Sequence, residues 1–214
     1  MNKAGKIVLL LCIIFLPFSI FYFFSLGEHH FEKLPFLGPE KNGSPFRYES
    51  RKITSVTGVD LTDTLKGKTL IVTSLNPAYS NGAGFYIGAF KQVVMQELYS
   101  NKKYKNVVIV SEVHNSNDST AKLLYNKYQI PGKWYVCFAP EPSFFDVENE
   151  EGNLMELKDP TFKERKLFER LVLIIDRNGH WRACHDLTEG IKSKTLIDEL
   201  RLLMKEYFKD YGAY

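Results

Sequence analysis

Leu171-Val172-Leu173-Ile174-Ile175-Asp176-Arg177-Asn178-Gly179-His180-Trp181-Arg182-Ala183-Cys184-His185 reads as a β-hairpin. Five apolar, mostly β-branched or leucine residues form one strand, and Asp176 to Gly179 is turn chemistry. Trp181 to His185 is the returning strand. In an extended strand His180, Arg182 and Cys184 share one side, and Trp181, Ala183 and His185 the other.

Working outward, Leu196, Leu200, Leu203, Met204 and Phe208 make the apolar stripe of a closing helix from about Ser193. Towards the N-terminus, Leu70 to Leu75 is a short buried strand bounded by Lys68 and Asn76-Pro77. Phe85 to Leu98 has helical spacing, and Val107 to Val110 is a second strand. Asp118-Ser119 caps a helix that carries Ala121, Leu124 and Tyr128 and stops at Pro131-Gly132. Trp134 to Phe138 is a third strand. Between Phe138 and Leu171 an irregular insert with Glu148, Glu150 and Glu151 reads as a solvated loop. A strand-helix-strand half followed by a hairpin and a helix is the plan of the α/β thioredoxin-like fold, a mixed sheet with helices on both faces.

The chain has 214 residues, 44% hydrophobic and 25% charged, with a formal net charge of +3. That composition excludes disorder, a collagen repeat and a disulfide-stapled miniprotein. The charges form no like-signed block, so nothing calls for nucleic acid as a partner.

Residues 7–26 carry no charge and, as a helix, reach roughly 30 Å, enough to cross a bilayer's hydrocarbon core. Lys3 and Lys6 precede this stretch and Glu28 follows it. The positive-inside bias therefore puts residues 1–6 in the cytoplasm and the rest on the far side. The competing reading is a cleaved signal peptide, with Ser25-Leu26-Gly27 near the cut. Residues 27–52, rich in Pro and Gly, read as a tether, and 53–214 as the folded domain. Beyond the membrane only Cys137 and Cys184 remain, a candidate disulfide or two small hydrophobes.

Several segments together resemble the Sco/SenC proteins, membrane-tethered thioredoxin-fold copper chaperones of cytochrome c oxidase assembly, and in detail the tethered members found in Bacteroidetes. They are His30-Phe31-Glu32-Lys33-Leu34-Pro35 with Gly38-Pro39, the helix at Asn117 to Tyr128 followed by Trp134, the hairpin at Leu173 to Arg182, and Leu196-Ile197-Asp198-Glu199-Leu200. The resemblance implies a single-pass protein of the bacterial inner membrane with its domain on the periplasmic side. It implies copper held by two thiolates after the first strand and one histidine before the hairpin.

Here the matching segment is Asn76-Pro77-Ala78-Tyr79-Ser80, and the histidine position falls on Phe168. An amide, a hydroxyl and a phenyl ring at Asn76, Ser80 and Phe168 make no soft copper site and exchange no disulfides. The expectation is a degenerate, non-enzymatic member without catalytic residues or bound cofactor. It would act by binding oxidase assembly or copper-trafficking proteins, or another Sco-like protein. The alternative is a working metallochaperone or thiol-redox protein using Cys137 and Cys184. Other donors are His29, His30, His114, His180 and His185, and Gly82-Ala83-Gly84 could present backbone amides to a small anion.

Overall fold

A computed structural model describes residues 13, 15–19 and 22 and, from 33 to 211, all but 38–39, 42–43, 46, 49–51, 76–94, 115–117, 141–142, 146, 149–153, 156–170 and 187–191. The chain divides into two compact units, Met1–Glu32 and Lys33–Tyr214. In the first, the described residues are helical and exposed. Among the described residues no helix is long and apolar enough to cross a membrane. Most of the expected span at 7–26 lies outside them.

The second unit is built on a five-stranded sheet: β1 Thr69–Leu75, β2 Val107–Val113, β3 Trp134–Phe138, β4 Leu171–Ile175 and β5 Trp181–Asp186. Their spatial order is β3-β2-β1-β4-β5. β1, β2 and β3 run parallel, while β4 and β5 are the antiparallel hairpin expected from their sequence. β1 and β2 are buried at every position, which explains why their residues do not alternate between apolar and exposed polar types.

One face packs Ile71, Ile109, Trp134, Val136, Val172 and Ile174 beneath three helices, α2 (95–100), α3 (Asp118–Tyr128) and α4 (Lys192–Tyr211). Tyr128 of α3 stacks on Trp134 at 5.7 Å. Polar groups on this face are paired, with Ser111 Oγ accepting from Trp134 Nε1 at 2.9 Å and lying 2.6 Å from Thr73 Oγ1. Among the described residues, only the one-turn helix α1 (Thr62–Leu65) packs on the other face, with Tyr48, Ile53, Phe144 and Phe145.

Two expectations change here. The solvated insert begins with buried residues, since Phe144 and Phe145 are core and Phe144 stacks on Tyr48 at 4.8 Å. Further on, Val147–Glu148 pairs with Leu154–Met155 as a small ribbon. The tether expected at 27–52 is, from Lys33 onward, part of the compact unit. Leu34 and Tyr48 are buried, and Leu37 and Arg47 bridge to Trp181 and His180 beside the hairpin. An adjacent pair of aromatics, or a leucine among prolines, gains too much from burial to stay in water.

The alternation expected in β5 is also broken. Ile175 faces Trp181 while Ile174 faces Ala183, so Arg182 is an extra residue in a β-bulge. Trp181 and Cys184 consequently pack on one side and Ala183 on the other.

Candidate functional site

In an open sheet with parallel strands, the loops leaving the strand ends converge on one edge, where side chains from several elements meet. Here that edge begins where β1 ends at Leu75. Asn76, Ser80 and Phe168, the positions matching the lost ligands, lie outside the described residues, as do His29, His30 and Gly82 to Gly84.

The described part of this edge is organised by Glu112, near the end of β2, which is 0% exposed. Its Oε1 accepts from Ser143 Oγ at 2.6 Å and lies 2.6 Å from His114 Nε2; its Oε2 accepts from Phe144 N at 3.2 Å. His114 N donates to Leu75 O at 3.2 Å, closing the edge beside β1. A buried carboxylate is tolerated only with such partners. Ser143 and Phe144 thereby tie the insert to the sheet. The Ser143 hydroxyl gives its proton to Glu112, and His114 Nε2 meets the same carboxylate. The set holds residues 143–145 against the end of the sheet. Sequence reading passed over Glu112. The available signal was a charged acid inside a largely apolar strand, Val107 to Val113.

Neither Cys137 nor Cys184 is in a disulfide. Cys137 lies on β3 and Cys184 on β5, the opposite edges of the sheet. Four interstrand spacings separate them by about 19 Å, against the limit of about 7 Å between disulfide-bonded Cα atoms. The candidate disulfide is thereby corrected: strand order forbids it. Cys137 is 0% exposed, and its Sγ points to Ser111 O at 3.7 Å. Burial first, and then the charge of Glu112, hold its thiol well above the usual range. It is a poor nucleophile and a poor metal donor.

The histidines near Cys184 are engaged elsewhere. His185 Nε2 contacts Glu199 Oε2, and His180 Nδ1 lies 3.3 Å from Asp176 Oδ2. Among the described residues no three His, Cys, Asp or Glu side chains are grouped to hold a metal ion. The positions matching the two thiolates and the histidine, Asn76, Ser80 and Phe168, carry neither sulfur nor imidazole, a donor set that does not suit copper.

No family model matches the chain and no curated protein matches it. Solved structures do. A candidate protein disulfide isomerase from Bacteroides thetaiotaomicron is similar at 10% identity and a TM-score of 0.51, over 84% of this chain and 99% of that one. A candidate electron transfer protein from Aquifex aeolicus is similar at 15% identity and a TM-score of 0.51, over 80% and 98%. A SCO1/SenC family lipoprotein from Bacillus anthracis is similar at 15% identity and a TM-score of 0.48, over 73% and 95%. At such identities the first two show the fold alone. The second unit is a thioredoxin-like domain, with the mixed sheet and flanking helices described above.

Proposed function

We propose that this chain is a membrane-anchored, extracytoplasmic Sco-like protein that works by binding another protein and performs neither copper nor thiol chemistry. The partner would be a component of copper delivery or cytochrome oxidase assembly, or a second Sco-like protein. The observation that carries this reading is the placement of the two cysteines on opposite edge strands, one of them fully buried. The sequence adds to it, because Asn76-Pro77-Ala78-Tyr79-Ser80 keeps the proline and spacing of a two-thiolate loop and has neither sulfur. A thioredoxin-like domain without a thiol pair still offers a surface for a partner.

Two measurements on the full chain test the reading. Anaerobic competition against a Cu(I) chelator is expected to show no stoichiometric binding at submicromolar affinity, and tight one-to-one binding would refute the non-catalytic assignment. Crosslinking in native membranes is expected to recover oxidase subunits, copper-trafficking proteins or a Sco-like protein. Consistent recovery of none of these would refute the partner class.

A further inference from the structure

At the end of the sheet opposite Leu75, a cavity of about 420 Å³ lies between the start of β1 and the turn of the β4–β5 hairpin. Ile53, Leu65, Leu70 and Ile175 give it an apolar floor. Arg47, Lys66 and Lys68 stand around it; Arg177 also lines it, with its guanidinium 4.3 Å from the Tyr207 ring. The carboxylate lining it, Asp176, is already committed. Its Oδ1 accepts from Asn178 N and His180 N at 2.9 Å each, and its Oδ2 accepts from Arg182 Nη1 at 3.1 Å and faces His180 Nδ1.

Topology extends the positive charge beyond the cavity. Because β1, β2 and β3 are parallel and β4 runs against β1, the turns preceding all three strands and the hairpin turn lie at this end. The turns before β2 and β3 add Lys102, Lys103, Lys105 and Lys133. Among the described residues 66–68, 102–106, 129–133 and 176–180, Asp176 is the sole carboxylate. The crowding is felt within the protein: burial, and then the charge of Lys68, lower the pKa of Lys133. Cations spread through the sequence are thus gathered by the fold at one end of the sheet, four of them lining the cavity, where they raise the local concentration of anions.

We propose that this cavity is a binding site for a phosphate group carried on an apolar body, either a phospholipid headgroup or a soluble phosphate compound. A phosphate offers several oxygens to guanidinium forks and ammonium donors at once, while the aliphatic floor accepts the attached carbon skeleton. The site is at the opposite end of the sheet from Leu75, where β1 ends, and does not depend on the copper question.

The test uses the full chain in a nonionic detergent, with calorimetric titration of dihexanoyl-phosphatidylglycerol, dihexanoyl-phosphatidylcholine and inorganic phosphate. The glycerol lipid is expected to bind, to exceed the choline lipid by about tenfold, and to be displaced by phosphate. Phosphate binding without preference between the lipids supports the site with a soluble compound as its source. Replacing Arg47, Lys66 and Lys68 by Gln is expected to weaken binding by about tenfold for each cation removed. The same change at the exposed Lys122 of α3 should leave it unaltered. Failure of both phosphatidylglycerol and phosphate to bind would overturn the proposal, and so would binding that survives in the triple variant.

Discussion

Cys137 and Cys184 occupy the two edge strands of the sheet with three strands between them. Their environments differ as much as their positions. Cys137 is sealed in the core cluster that also holds Phe144 and Phe145, whereas Cys184 is only half buried. In the native full chain, iodoacetamide is expected to leave Cys137 unmodified until the domain unfolds, while Cys184 reacts at a measurable rate. Peptide-level mass spectrometry distinguishes them, and native alkylation of Cys137 as fast as that of Cys184 contradicts the packing.

Arg182 sits in the β-bulge and joins three parts of the fold. Nη2 donates to Glu206 Oε2 and to Leu34 O at 2.7 Å each, Nη1 donates to Asp176, and the guanidinium lies 4.5 Å from the Phe36 ring. Leu34 N completes the ring by donating to Glu206 Oε1 at 2.6 Å. Arg182→Ala leaves two buried carboxylates without their cation and should cost about 3–5 kcal/mol. Urea unfolding measures it, and a loss below about 1 kcal/mol would mean that the network contributes little.

Gly179 has φ +88, and a Cβ there would meet Tyr48 O at 2.5 Å. That carbonyl belongs to the residue whose amide donates to Gly179 O at 2.7 Å, so neither strand of the contact can retreat without breaking it. Gly179→Ala is expected to destabilise by about 1–3 kcal/mol. A melting temperature unchanged within error would show that the Arg47–Tyr48 segment is not held against the turn.

Burial pushes the Tyr207 phenol up to about 12, partly offset by its hydrogen bonds with Thr69 and the Arg177 amide. The native state therefore keeps a proton that the unfolded chain releases near pH 10. Stability from this group is complete below pH 10 and falls as the pH rises from 10 to 12, by roughly 2–3 kcal/mol in all. Tyr207→Phe should flatten that part of the curve; an equally steep alkaline loss in the variant would assign it to other groups.

Phe144 is fully buried against Tyr48 and the second face of the sheet. Phe144→Ala should cost about 3–5 kcal/mol through lost burial and the cavity left behind. It should also expose the amide that Glu112 holds, which hydrogen exchange at residues 143–145 would report. Unchanged protection there would separate the loop from the core.

The five main strands, the closing helix and the turn at Asp176 were legible in the chain because each is a local pattern: an apolar run, a 3.6-residue stripe, or turn residues at fixed spacing. So was the lack of sulfur between Leu75 and Lys91, a matter of composition alone. Tertiary structure decided which residues meet. Phe144, Leu34 and Glu112 carry no periodic signal, and their burial depends on partners far away in the chain. The bulge at Arg182 turned a strict alternation into a mixed one, because an edge strand that must reach Asp176, Glu206 and Leu34 gains more from that network than from regular pairing. Strand order, a property of packing several segments at once, separated the two cysteines and gathered scattered lysines at one end of the sheet.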